Sequence, residues 1–552
     1  LFRSNDDEVN AMGQSFQALC DGFLGLHRDF DLGDESIMEA YGRVENGDFV
    51  VNQAKYKTVI VPPMLTMRRA TASLLQSFMD NGGKVIFVRP CATMVDARGD
   101  DALAALFGHQ NAIVVDNDLS VIEDVLSSIL ERHISITDRA GQQDEALIYM
   151  QRCVDDGQAF FVVNTDRNNS HKVRIKLKGN GHLEQWNALT ADIKPIAADI
   201  EGGYMAFDAE FAPAASMLYI MDTRRPPANV APYKPKEVDA RYVGPVCEFA
   251  RTDPNVLTLD YCQYRFDSED WSPFMQVWQA QDAIRKRLDM RSIAINGLEQ
   301  RWRWIYTPHP NDGAHVQLRF AFDVNERPLG HVYFVVEGSE DFYITFDDMP
   351  ISNEPHGWFL DKSFNKIELP LLIPGRHEVE LSCRYKNSME LEDCYIIGNF
   401  GVDMLTKAII SEPERIHFGD WCSQGYPNYP GSMIYKENVE FYIKEGQRVY
   451  INLGEYRAIT TAVWINGNIA VHIPWRAANG ADITEFLHDG LNEIGIEMVS
   501  SPRNMLGPLH QKSGKKPWTD SRSFRTTGYE FTPDEVLVPQ GCFGQIKLSI
   551  VE

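Results

Sequence analysis

The residues best suited to recognising a ligand lie together in one short segment, residues 419–432. Its 14 residues combine aromatic rings, amides, glycines and prolines without helical or strand periodicity, which indicates a surface loop of the kind that often carries function. Flat rings pack on C–H faces, and amides and carboxylates hydrogen-bond to hydroxyl edges, so this chemistry suits a saccharide. The candidate binding residues are Asp420, Trp421, Gln424, Tyr426 and Tyr429.

A second group of candidates lies downstream, in and near a proline-stiffened stretch at residues 501–510. Arg503, Asn504 and His510 are polar side chains that could reach a ligand, and Trp475 supplies one more ring. In the alternative interpretation, these polar groups join one domain to its neighbour through buried hydrogen bonds, and the rings belong to a core. We expect no metal at His510, because no second ligand follows at helical or hairpin spacing.

Pairs of acidic residues are candidate catalysts, because cleavage of a glycosidic bond needs two carboxyl groups that flank the bond. Two clusters qualify by spacing: Glu337, Glu340 and Asp341, and Glu390, Glu392 and Asp393. Both are interpreted as solvated charges at strand ends. The sequence also has no nucleophile elbow, phosphate-binding loop or zinc-protease motif. We therefore predict no catalytic residue in this chain.

Charge and hydropathy argue against two classes of partner. The chain has 53 basic and 78 acidic residues and a formal net charge of −25. Such a chain repels phosphate backbones, so nucleic acid is not expected as a partner. The sequence contains no apolar run of the roughly 18 residues that a membrane helix needs, so a membrane is not expected either.

The nine cysteines are scattered, form no C-x-x-C pair and show no zinc-ligand spacing. They are predicted to be mostly buried free thiols, which favours a reducing compartment such as the cytoplasm but leaves the location open. A structural Ca²⁺ ion is compatible with a β-sandwich, yet the sequence has no D-x-D-x-D-G loop, so no cofactor is predicted.

Hydrophobic patterning divides the chain into four domains and predicts a fold of the α/β plus all-β class. Helical stripes alternate with short β-branched runs in residues 1–140, which predicts a flavodoxin-like, doubly wound α/β domain that lacks its usual first strand. A period of two then predicts a small antiparallel β-sandwich at 141–223. After a proline-rich linker, two jelly-roll sandwiches are predicted at 236–405 and 406–552.

The strongest local signal is the pair Asn466-Gly467, which directly follows the apolar residues 463–465. Asn-Gly suits the two-residue turn of a β-hairpin. Asp347-Asp348 occupies the corresponding place after residues 344–346, and an alternating strand follows each pair further along the chain. We therefore interpret the last two domains as a duplicated jelly roll.

Two sets of motifs resemble domains of glycoside hydrolases. The strings YKTVIVPP at 56–63 and LLQSFMDNGGKVIF at 74–87 resemble the glutamine-amidotransferase-like α/β domain of the β-galactosidase trimerisation type. The string VWING at 463–467, with the later Pro-Trp, Asp-Ile-Thr and Asp-Gly-Leu-Asn motifs, resembles the galactose-binding-like, sugar-binding jelly roll of family 2-type and α-L-rhamnosidase-like enzymes.

This resemblance implies that the chain is the non-catalytic C-terminal part of a glycoside hydrolase that acts on plant or microbial glycans. Its catalytic (β/α)₈ barrel would precede residue 1, and whether this chain is itself an enzyme stays open. The implied partners are carbohydrate, the enzyme's own barrel and, through the α/β domain, further copies in a homo-oligomer. The alternative is a stand-alone glycan-binding or scaffolding subunit without hydrolase activity.

Overall fold

A computed structural model describes residues 7–154, 157–188, 191–230, 236–293, 307–475, 480–512, 519, 523–524 and 526–552. The chain forms two compact units, Leu1–Lys234 and Pro235–Glu552. The first unit contains an α/β layer and a β-sandwich, and the second contains two larger β-sandwiches. The predicted α/β plus all-β fold class is therefore confirmed.

A parallel sheet with helices on both faces begins the first unit. Its strands, in spatial order, are Thr58–Val61, Lys84–Val88 and Ala112–Val115. The helices are Asp7–Gly25, Glu35–Tyr41, Arg69–Asp80, Ala102–Phe107 and Leu119–Ile129. Two small sheets flank them: Gly42–Glu45, Asp48–Val51 and Ala54–Tyr56; and Thr66–Met67, Met94–Val95 and Arg98–Gly99.

Strand periodicity explains why this sheet needs two layers of helices. In Lys84–Val88, Val85 and Phe87 face one hydrophobic core, whereas Ile86 and Val88 face the other. Alternate side chains of a strand point to opposite faces, so a strand that is apolar at every position must be covered on both sides.

The remainder of the first unit is an antiparallel sandwich. One sheet has the order Ile134–Thr137, His171–Lys178, Tyr204–Phe211 and Asp199–Glu201. The other has the order Leu147–Val154, Gly157–Asn164, Ser216–Asp222, His182–Trp186 and Ile193–Pro195. In His171–Lys178 the apolar residues are buried and the basic ones are more exposed, as the alternating sequence predicts.

The second unit opens with strands that belong to its last sandwich. Glu237–Val243 pairs with Ile546–Val551, and Val246–Arg251 pairs with Ser432–Phe441. The predicted division placed residues 236–251 in the first jelly roll instead, because consecutive strands are more often neighbours than strands 300 residues apart. The other domain boundaries stay predictions.

The first sandwich of this unit encloses one large hydrophobic core. One sheet has the order Asn255–Leu259, Cys394–Asn399, Leu329–Glu337, Asp361–Glu368 and Trp358–Phe359. The other has the order Met275–Gln276, Tyr261–Phe266, Ala314–Val324, Gly375–Tyr385, Phe342–Phe346 and Met349–Ile351, with Gly401–Val402 and Ile409–Ile410 attached. The helix Val277–Arg287 packs on the same core.

The second sandwich has its own core. One sheet has the order Glu237–Val243, Ile546–Val551, Arg448–Asn452 and Ala481–Asp482. The other has the order Ile416–His417, Val246–Arg251, Ser432–Phe441, Gly490–Val499, Thr460–Ile465 and Asn468–Ile473. Tyr456–Arg457 pairs with Gly541–Cys542, and a short helix spans Arg503–Leu506.

The two sandwiches repeat one local arrangement. Thr460–Ile465 turns at Asn466-Gly467 into Asn468–Ile473 and pairs on its other side with Gly490–Val499. Phe342–Phe346 likewise turns at two residues with positive φ and pairs with Gly375–Tyr385. The Asn-Gly hairpin forms where the sequence predicts it.

All nine cysteines are free thiols, and six of them are buried. Within the described ranges, no helix is both long enough and apolar enough to cross a membrane.

The hairpin turn offers a direct test of the sequence-based argument. Gly467 has φ +79, and a Cβ atom there would contact nothing within 4 Å, so Gly467→Ala adds backbone strain without a clash. We expect it to lower the free energy of unfolding by about 1 kcal/mol in a urea titration. The neighbouring exposed substitution Asn468→Ala should change it by less than about 0.5 kcal/mol. Equal effects of the two would contradict the assignment of the turn.

Candidate functional site

The aromatic rings of the 419–432 segment lie in the protein interior. Trp421, Tyr426 and Tyr429 are 1%, 2% and 1% exposed, and all three belong to the core of the second sandwich. The indole Nε1 of Trp421 donates to the hydroxyl of Tyr435 at 2.6 Å. A ring without accessible surface cannot stack on a sugar, so the open platform predicted from these three residues is wrong and the core alternative applies.

The polar residues of the same segment hold its shape. Asp420 accepts hydrogen bonds from the backbone N–H groups of Cys422 and Gln540, both at 3.1 Å. The Gln424 side chain accepts from the backbone N–H of His417 at 2.7 Å and donates to its carbonyl at 3.1 Å. The side chains of Asp420 and Gln424 thus form hydrogen bonds with the backbone of their own chain.

Asn504 and Arg503 form hydrogen bonds within the second sandwich, whereas the structural alternative expects them to join that sandwich to its neighbour. The Asn504 side chain accepts from the N–H of Val538 at 2.8 Å and donates to its carbonyl at 2.9 Å. Arg503 donates to the carbonyl of Pro508 at 3.1 Å. Trp475 is 41% exposed, so of the four predicted rings it is the one accessible to a ligand.

An open groove of about 560 Å³ lies above the buried segment, between the two sandwiches of the second unit. Its volume is in the range of small-molecule sites. Its walls are apolar at Phe249, Pro254, Leu329 and Pro413, and its polar groups are those of Arg251, Thr252, Asp253, Asn399, Glu412 and Glu414.

An ion pair forms the floor of this groove. The Arg251 guanidinium donates from Nε to Glu412, from Nη1 to the carbonyl of Asp253 at 2.6 Å, and from Nη2 to Asn399 Oδ1 at 3.2 Å. The Tyr426 hydroxyl donates to Glu412 at 2.9 Å, and its ring centroid lies 5.9 Å from the guanidinium. The predicted residue Tyr426 therefore supports the groove from below rather than lining it.

His510 lines a second, much smaller cavity of about 40 Å³ in the same unit. Its Nε2 donates to Asp260 at 2.6 Å and its Nδ1 donates to the carbonyl of Thr532 at 2.9 Å. Because both ring nitrogens face oxygen acceptors, the charged imidazolium is favoured. Burial lowers the pKa of His510, but the hydrogen bond and negative charge of Asp260 outweigh burial and raise that pKa overall.

Two further acids belong to this region: Asp393 lines the cavity, and Glu535 interacts electrostatically with Asp260 and His510. Burial raises the pKa of Asp393, and the negative charges of Asp260, Glu392 and Glu535 raise it further. Burial also raises the pKa of Glu535, although its ion pair with Lys407 acts in the opposite direction. The prediction that Asp393 is a solvated strand-end charge is therefore wrong.

The groove residues and Asp260 are not among the residues predicted from the sequence. Arg251 and Asn399 end strands, Asp260 and Glu412 lie between strands, and partners such as Arg251 and Glu412 lie 161 positions apart. No local spacing reveals such a pair. Across the described ranges, no group of three or more His, Cys, Asp and Glu side chains is arranged to hold a metal ion.

No family model matches the sequence, and no curated protein matches it. Similar solved structures include a rhamnosidase from Novosphingobium sp. PP1Y, which is 15% identical with a TM-score of 0.47 over 96% of this chain and 36% of that chain. An exo-carrageenase GH42 from Bacteroides ovatus is 13% identical, with a TM-score of 0.28 over 38% and 26%. A GH42 beta-galactosidase from G. stearothermophilus is 9% identical, with a TM-score of 0.28 over 40% and 38%. The chain thus spans 36% of the length of that rhamnosidase.

The cluster around His510 contributes stability that is lost as pH rises. Asp393, Glu535 and His510 all have pKa values raised above their ordinary 3.8, 4.5 and 6.5 in the folded state. At these three groups the folded state binds more protons than the unfolded state, and each contribution is lost as pH rises from the ordinary value through the raised pKa. We expect the cluster to add a decline of the urea midpoint from about pH 4 upwards, with the His510 contribution lost above about pH 6.5, against the opposite trend from acids with lowered pKa values such as Glu123 and Asp482.

Two variants identify the groups responsible. Glu535→Gln should flatten this decline, because a neutral amide replaces an acid that must lose its proton. Glu269→Gln, at an exposed acid whose pKa is lowered, should not flatten it. A pH profile of Glu535→Gln that matches the unchanged chain would contradict the assignment.

Proposed function

We propose that this chain is the non-catalytic C-terminal part of a glycoside hydrolase and that its second unit binds glycan in the groove beside Arg251. The proposal joins the motif resemblance in the sequence to one structural observation, which is the chemistry of the groove walls. Trp475 stays a candidate for an additional contact, because its ring is accessible.

The groove offers the two kinds of surface that a sugar needs. The apolar rims at Phe249 and Leu329 can cover C–H faces, and Leu329 is 73% exposed. The Asn399 amide, whose oxygen accepts from Arg251, can donate from its N–H groups, and the carboxylate of Glu414 can accept from sugar hydroxyls. Arg251 and Glu412 already satisfy each other, so they present a fixed polar floor.

Two substitutions in the groove test glycan binding. Asn399→Ala and Glu414→Ala each remove hydrogen-bonding groups worth about 0.5–1.5 kcal/mol, so each should weaken glycan binding about two- to tenfold. Screening on a glycan array identifies a ligand, and calorimetric titration of that ligand measures the loss. Asn468→Ala, at an exposed asparagine outside the groove, is the matched control.

The same titration can overturn the proposal. Full affinity in both groove variants would place the glycan elsewhere, and loss of affinity in Trp475→Ala alone would move the site to that ring. Failure of every arrayed glycan to bind would reject a carbohydrate-binding role for this chain.

The non-catalytic part of the proposal has its own test. We expect the isolated chain to release no aryl group from a panel of aryl glycosides, including aryl rhamnosides and galactosides, above the rate of a buffer blank. The acids Asp260 and Asp393 do share a cavity, but its 40 Å³ is far below the roughly 300 Å³ of even a small ligand site. Turnover that disappears in Asp393→Asn would instead make this cavity an active centre.

A further inference from the structure

The cavity beside His510 has features that a role in packing does not explain. Its lining includes Asp260, Gln276, Trp278 and Asp393 of the first sandwich, and His510 and Phe524 from the chain after Gly507. A water needs about 10–15 Å³ of such space, so 40 Å³ holds a group larger than one water and smaller than a sugar ring.

The carboxyl of Asp393 has no basic partner among the described residues. His510 pairs with Asp260, and Lys407 pairs with Glu535. Burial and the neighbouring negative charges favour the protonated carboxyl at Asp393, and a cation that enters the cavity can take the place of that proton.

Gln276 is the independent sign of a missing partner. Its side chain lines the cavity, the residue is 6% exposed, and its Oε1 atom has no hydrogen-bond partner. Leaving a buried carbonyl oxygen unpaired costs about 1–3 kcal/mol, so native proteins rarely do so without a reason. A donor that carries positive charge can satisfy the Gln276 oxygen and the Asp393 carboxylate together.

The walls identify what kind of cation fits. A metal ion is not favoured, because the described residues include no group of three or more His, Cys, Asp and Glu side chains arranged to hold one. Trp278 lines the cavity instead, with its ring stacked on Phe524 at 5.4 Å and 17°. Aromatic faces attract organic cations, and N–H donors match the separate oxygen acceptors.

We propose that this cavity binds a primary ammonium group, which donates hydrogen bonds to Gln276 Oε1 and to the Asp393 carboxylate while it contacts the ring of Trp278. The ligand is a small amine, or the amine end of a larger molecule. This site is separate from the proposed glycan groove and does not depend on it.

Binding is coupled to protonation. The Asp393 carboxyl must lose its proton when a cation enters, so amine affinity rises as pH rises towards the raised pKa of Asp393. The charged groups that act on Asp393 are Asp260, Glu392 and Glu535, whose negative charges favour its protonated form, and His510 pairs with Asp260. Calorimetry in two buffers of different ionisation enthalpy measures the released proton directly.

Methylammonium chloride is the probe, with sodium chloride replaced mole for mole so that ionic strength stays constant. We expect methylammonium to raise the unfolding temperature in a saturable manner, and tetramethylammonium to have no effect, because it is too large and lacks N–H donors. Potassium chloride is the third arm. An equal rise with potassium or tetramethylammonium would overturn the ammonium site.

Two variants remove the proposed contacts by different routes. Asp393→Asn keeps the shape of the neutral acid and removes the charge, and Gln276→Leu removes an acceptor that has no partner, so both should fold with near-normal stability. Each should lose at least tenfold in methylammonium affinity. Asp267→Asn, at an exposed acid of the same sandwich, should lose none.

Two results of these experiments would overturn the proposed ammonium site. Unchanged methylammonium affinity in both cavity variants would place the cation elsewhere and overturn the proposal. Marked destabilisation by Gln276→Leu in the absence of any amine would also count against it, because it would show that the Gln276 side chain is already satisfied by its own protein.

Discussion

Buried amide side chains hold the two sandwiches of the second unit together, and both candidate sites depend on them. Asn255 donates to the carbonyls of Phe400 and Gly425, each at 2.8 Å. Asn428 accepts from the backbone N–H of Thr258 in the first sandwich at 3.4 Å and donates to the carbonyl of Asn504 at 2.7 Å. Each residue is at most 1% exposed, so loss of either amide would leave buried carbonyls unpaired at a cost of about 1–3 kcal/mol each. These hydrogen bonds therefore stabilise the junction between the sandwiches.

The core of the second sandwich explains why the rings of the aromatic segment 419–432 are buried while the sites beside it are not. The segment fills the space between two curved sheets, and its rings supply apolar area there. The groove lies on one side, with Arg251 resting on Tyr426, and the smaller cavity lies near the segment that carries His510. Rings that resemble ligand platforms in the sequence instead position the charged residues that can meet a ligand.

The groove beside Arg251 and the cavity beside His510 differ in the charges that their side chains carry. In the groove, Arg251 and Glu412 neutralise each other, and the accessible groups are amides, carboxylates and apolar rims. In the cavity, Asp260 and Asp393 share a poorly solvated space with the His510 imidazolium, and the raised pKa of Asp393 favours its neutral form. The first environment suits neutral, hydroxyl-rich molecules, and the second suits a small cation.

The sequence by itself determined the fold class, the layered α/β start, the antiparallel sandwiches and the Asn466-Gly467 hairpin, because periodicity and turn chemistry are local properties of the chain. It could not decide which rings are buried, since Trp421 and Trp475 differ in their neighbours and not in their residue type. It also could not bring Asp260 to His510 or Arg251 to Glu412, which lie 250 and 161 positions apart. The Asp260–His510 pair exists because the two sandwiches pack against each other, and the Arg251–Glu412 pair exists because the strand Val246–Arg251 joins the last sandwich. The electrostatics of each candidate site follows from that packing.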